Sequence, residues 1–200
     1  DGPQRDQRLW LGDLRLQARA NYESFQNYDL AKRCLYLFGG LTFNEGKVSA
    51  CIFTEPEPEP DDTYLMDYAL LFGAVLLDYY EATGDRKTLE DLYPIAIRQI
   101  EICVAELDER HVVKDPGDAF VCFIDWGEGL NKQCSAQAVL IYSMRYGMRL
   151  AEHMKDRETC DWLNREQELC KKAAIDTFWD RKQQMFVSGE EKKISWASQV

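Results

Sequence analysis

Asp85-Arg86-Lys87-Thr88 opens one amphipathic stretch, and Asp156-Arg157-Glu158-Thr159 opens another 71 residues later. The two stretches also close alike, at Asp108-Glu109-Arg110 and at Asp180-Arg181-Lys182. Each is followed by a small apolar, β-like piece, Val112-Val113 and Phe186-Val187. The repeating unit is therefore a pair of antiparallel helices closed by a short β-ribbon loop. A unit of this size cannot bury its own apolar face, so such units stack on one another. The expected fold class is all-α, built from stacked helical hairpins.

Apolar spacing predicts where the helices run. Positions 14, 18, 22 and 25 mark a first helix over Leu14 to Phe25. A second runs from Asp29, as N-cap, to Phe38, with Gly39-Gly40 ending it. Residues 40–62 read as irregular, because the Glu-Pro run from Glu55 to Pro60 cannot be helical. That run reads as a solvated extended loop, with edging the pocket as its alternative. Further helices are predicted over 65–82, 87–109, 133–154 and 158–179. Pro94 should kink or break the fourth. Residues 111–130 read as turns and short extended segments, and another helix is expected near Trp196.

Composition narrows the function. Net charge is −11, so a nucleic-acid partner is not expected, since phosphate binding needs a basic face. The most apolar run, Leu65 to Leu77, is interrupted by Asp67, and no uncharged stretch reaches the length of a membrane helix. Seven cysteines with no CxxC spacing read as free thiols, and with only two histidines no metal site or cofactor is expected. Unpaired thiols favour a reducing compartment mildly. Cytoplasm and bacterial periplasm both stay open.

Stacked hairpins set their first helices parallel, so the starts of those helices share one side of the domain. The starts near Leu14, Leu65, Gln133 and Trp196 are preceded by acids and aromatics. Any one acid there can simply cap a helix, and Asp13 is a natural N-cap. The first segment holds more: Asp1, Asp6 and Asp13, with Arg5, Arg8 and Trp10, lie within thirteen residues. Carboxylates accept bonds from sugar hydroxyls, arginine orients them, and an aromatic face packs on ring C–H groups. Paired carboxylates also perform glycosidic hydrolysis.

Asp1-Gly2-Pro3-Gln4-Arg5-Asp6, followed by Trp10-Leu11-Gly12-Asp13, resembles the signature of bacterial α-L-rhamnosidases of glycoside hydrolase family 78. Asp67-Tyr68, the stretch Asp78 to Asp85, and Phe123-Ile124-Asp125-Trp126 are similar to further elements of that family. The resemblance implies an (α/α)6 barrel with its site at one mouth. At roughly 65–70 residues per unit, residues 1–200 would then be part of a single catalytic domain: three hairpins and the start of a fourth, about half the toroid. It implies hydrolysis of terminal α-L-rhamnosyl groups with inversion. Asp6 would be the general acid; it keeps steps of four to Trp10 and seven to Asp13 without a gap. Asp1, Arg5, Trp10, Asp13, Asp67, Asp125 and Trp126 would bind the sugar, with Asp67 and Asp125 bracing or capping as their alternative. The general base is expected beyond Val200, so the partners would be a rhamnose-containing glycoside and the remainder of the same polypeptide. This segment alone is expected to be inactive. The alternatives are another toroid glycosidase or lyase, and a helical-hairpin scaffold that binds protein.

Overall fold

Six α-helices are present among the residues described by the computed structural model, which are 7–115, 121–125, 127 and 129–199. They are α1 Leu11–Glu23, α2 Tyr28–Gly40, α3 Met66–Thr83, α4 Arg86–Ala105, α5 Gln133–Met154 and α6 Arg157–Phe178. The chain divides into two units, Asp1–Gln99 and Ile100–Val200, with the division inside α4.

In the first unit, α1 buries Leu11, Leu14, Ala18 and Tyr22, the expected stripe. It starts three residues earlier than predicted and ends before Phe25, which is 87% exposed. The early stop comes from local polar bonds. The Ser24 hydroxyl donates to the Ala20 carbonyl at 2.6 Å, and Asn21 bonds both the N–H and the carbonyl of Asn27. Asn27, not Asp29, caps α2, accepting from the Leu30 N–H. Gly39 and Gly40 are the last residues of that helix.

Helix α3 is buried on nearly every face, including Leu70, Phe72, Leu76 and Leu77. Each such leucine contributes about 1.5–3 kcal/mol of burial. Gly84 ends it at φ 69°, a left-handed position where a glycine avoids the Cβ penalty. Helix α4 runs through Pro94 without the break that was one of the two expectations there. Pro94 removes one ladder bond, but Leu89, Leu92, Tyr93 and Ala96 around it are all buried.

Residues 40–62 are more ordered than predicted. β1 Arg8–Trp10, β2 Cys51–Phe53 and β3 Glu59–Pro60 form an antiparallel sheet, pairing Arg8 with Phe53, Trp10 with Cys51, and Ile52 with Pro60. The end of the Glu-Pro run is thus an edge strand, where a residue without an N–H is tolerated.

In the second unit, α5 and α6 match the predicted spans within one residue. Val112, Cys134, Ala173 and Phe178 form its core cluster, with Ala174 and Phe186 packed against it. β4 Trp179–Asp180 pairs with β5 Met185–Phe186, which is the predicted ribbon. Val112-Val113 forms no strand. Val113 instead donates to Gln137 at 2.8 Å and accepts from Gln133 at 2.7 Å. The described residues end in a 3-10 turn, Ala197–Gln199, next to Trp196.

The repeat appears as matched capping. Asp85 accepts from the Thr88 N–H at 3.1 Å and hydroxyl at 2.8 Å. Asp156 accepts from the Thr159 N–H at 3.0 Å and hydroxyl at 2.8 Å. The closing aspartates match as well: Asp108 accepts from the Arg110 and Val112 N–H groups, and Asp180 from those of Lys182 and Gln183. All seven cysteines are among the described residues and none is in a disulfide; Cys160 alone is not buried.

Candidate active site

β1 delivers Trp10 to the start of α1. The Trp10 backbone is extended, and its side chain is half-buried. The first helical N–H, that of Leu11, donates to the Ala50 carbonyl at 3.1 Å. Trp10 itself holds the N-cap position and gives no side-chain cap. Asp13 was expected as the N-cap; it lies in the first turn instead, exposed, where a carboxylate meets the positive end of the helix.

Asp67 occupies the matching place in α3, in its first turn, and is 4% exposed. The next residue, Tyr68, links the two helix starts. Its ring meets that of Trp10 edge-to-face, with centroids 6.4 Å apart and planes at 87°. It also fills the space over Gly12, where a Cβ would come within 2.5 Å of the ring. Burial, and then the nearby charges of Asp13 and Asp67, push the Tyr68 hydroxyl up to about 12. Trp10, Asp13, Asp67 and Tyr68 therefore form one group in the first unit.

Arg8 borders that group. Its guanidinium lies 5.7 Å from the Trp10 ring centroid and 4.6 Å from that of Phe53. It reaches the Asp61 carboxylate at 3.5 Å. Burial opposes ionisation of Asp61, but hydrogen bonds from Thr63 outweigh it and hold the carboxyl below its usual range. Farther along α1, Arg15 donates to Asp78 of α3 at 3.0 Å, tying these two helices together.

Asp125 belongs to the second unit, ahead of α5. It sits at φ 58°, and its Oδ2 accepts from the Ser135 hydroxyl and, at 2.7 Å, from the Ser195 hydroxyl. Burial, followed by the Asp125 charge, pushes the Cys134 thiol up to about 12, so this cysteine is no thiolate nucleophile.

Asp1, Arg5, Asp6 and Trp126 lie outside the described residues. Sequence reasoning missed Tyr68 as the link between helix starts, and Ser135 and Ser195 as partners of Asp125. The signal for Tyr68 was the glycine between Trp10 and Asp13, since a missing side chain leaves room for another. The serine pair had no local signal. Among the described residues, no cluster of three His, Cys, Asp or Glu side chains could hold a metal ion, and no helix is long and apolar enough to cross a membrane.

The chain is thus all-α, with acids and a tryptophan at the starts of its helices. The chain belongs to the bacterial alpha-L-rhamnosidase 6 hairpin glycosidase domain family, which it matches over residues 1–196. It is similar to a rhamnosidase from Klebsiella oxytoca whose structure was solved with rhamnose bound. The two are 45% identical with a TM-score of 0.95, over 99% of this chain and 38% of that one. It also resembles in fold the family 78 rhamnosidase of Bacillus sp. GL1, at 18% identity and a TM-score of 0.80, over 94% of this chain and 19% of that one. The chain thus spans well under half the length of either. No curated protein sequence gives a significant match.

Proposed function

We propose that this chain supplies the acid-bearing and sugar-binding part of an inverting glycosidase that removes terminal α-L-rhamnosyl groups. The observation that carries this reading is the grouping of Trp10, Asp13, Tyr68 and Asp67 at the starts of α1 and α3. An aromatic face beside two carboxylates, one exposed and one buried, suits a neutral ring bearing hydroxyls on one side and C–H groups on the other. The 45% identity to a rhamnosidase with rhamnose bound supports rhamnose as that sugar.

In this mechanism Asp6 is the general acid and protonates the departing glycosidic oxygen. It must keep its proton near neutrality, which a desolvated site provides. Asp1, Arg5, Trp10, Asp13 and Trp126 hold the sugar. Asp67 and Asp125 either touch it or fix those that do. A carboxylate from a later hairpin activates water across the ring, at the roughly 6.5–9.5 Å separation that inversion requires. Residues 1–200 then form about half of one (α/α)6 catalytic domain, with about three hairpins and the start of a fourth.

The test is Asp6→Asn in the full-length enzyme, assayed on an aryl α-L-rhamnoside. We expect turnover to fall by about three orders of magnitude or more with the melting temperature unchanged. Surviving activity would remove Asp6 from the role. NMR of the first-formed rhamnose should show the β anomer, and α product would rule out inversion. Residues 1–200 alone should give no hydrolysis.

A further inference from the structure

We infer that Tyr68 is a positioning residue of the sugar site, acting through Trp10. The inference rests on the function proposed above. Trp10 ends a three-residue strand, where its backbone is paired opposite Cys51. Its ring meets the Arg8 guanidinium at 5.7 Å and the Tyr68 ring, perpendicular to it, at 6.4 Å. Tyr68 is 8% exposed and is the third residue of a helix buried on nearly every face. It is therefore a rigid reference against which a half-buried tryptophan can be aligned.

Gly12 makes this contact possible. A Cβ there would meet three ring atoms of Tyr68 at 2.5–2.9 Å, so any other residue would push the ring out. The glycine between Trp10 and Asp13 is thus the seat of Tyr68, which explains its place inside the motif. Burial, and then the charges of Asp13 and Asp67, keep the Tyr68 hydroxyl neutral at working pH. The ring contact with Trp10 is what sets the aromatic face against which a bound sugar packs.

The experiment uses the full-length enzyme with 4-nitrophenyl α-L-rhamnoside as substrate and free L-rhamnose as ligand. Tyr68→Leu should raise KM and weaken rhamnose binding by about tenfold, with kcat changing less, because it releases the edge-to-face contact. Tyr68→Phe keeps the ring and should restore most of the KM. Gly12→Ala displaces the ring without removing it and should reproduce the Tyr68→Leu effect. Thermal unfolding is followed for each variant. A Tyr68→Leu enzyme that folds with unchanged KM overturns the inference. So does a loss in which melting temperature and kcat fall while KM and rhamnose affinity stay put, in either Tyr68→Leu or Gly12→Ala. Failure of the wild-type enzyme to cleave the rhamnoside would instead overturn the proposed function.

Discussion

Asp85 and Asp156 begin their helices with the same two bonds, one to a backbone N–H and one to a threonine hydroxyl three residues on. Asp85 has further partners, the Lys32 ammonium at 2.7 Å and the Tyr79 hydroxyl at 3.1 Å. The cap is a local device that any Asp-x-x-Thr can form, so the repeat copies it. Lys32 comes from α2 and Tyr79 from α3, so at Asp85 a cap also joins three helices of the first unit. A repeat thus preserves its local chemistry, while each copy acquires the cross-links that its own position permits.

That difference can be broken by substitution. Asp85→Ala should have the largest effect. It loses a cap worth about 1–2 kcal/mol and also strands Lys32 and Tyr79. Asp156→Ala should cost about 1 kcal/mol for the cap, and urea unfolding of both variants ranks them. If Asp156→Ala proved the more damaging, the tertiary role of Asp85 would be wrong. Thr88→Val should follow at about 1 kcal/mol, since Thr88 is fully buried and gives its hydroxyl to Asp85. Thr159→Val, on a half-buried residue, should cost less in the same assay.

The smallest effect is a pH dependence. The Lys32 bond, with those from Thr88 and Tyr79, holds the Asp85 carboxyl well below the usual carboxylate range despite some burial. A carboxyl lowered in the folded state contributes stability above its unfolded pKa, about 3.9, and loses it as pH falls through the folded value. The stability gap between wild type and Asp85→Asn should therefore be widest above about pH 4 and narrow on acidification. A gap that widened in acid would contradict the assignment. Lys32 is substantially exposed, so salt should shrink the gap at neutral pH too.

Much of the helical frame was legible in advance. Helices α3, α5 and α6 were bounded within a residue or so, because periodic apolar spacing and Asp or Gly end signals are local information. Errors fell where another local bond competed. Ser24 and Asn21 ended α1 before Phe25, and Asn27 displaced Asp29 as the cap of α2. Pro94 was read from its own chemistry as a kink or a break; the helix is not broken there, where buried neighbours in α4 offset one lost bond.

For the candidate site, the sequence marked Trp10, Asp13 and Asp67 as worth attention, because residue type and motif spacing are written along the chain. It could not show that Tyr68 joins them. That link spans from residue 10 to residue 68 and exists only once α1 and α3 pack. The β1–β2–β3 sheet is likewise a pairing of distant segments, Arg8 with Phe53 and Ile52 with Pro60, with no local pattern to announce it. Asp125 depends on Ser195, 70 residues away. Sequence alone determined most of the helical frame, the Asp85 and Asp156 helix starts and the family, since each rests on neighbours along the chain. Only the tertiary structure decided which side chains meet, because those contacts form where packing brings distant segments within bonding distance.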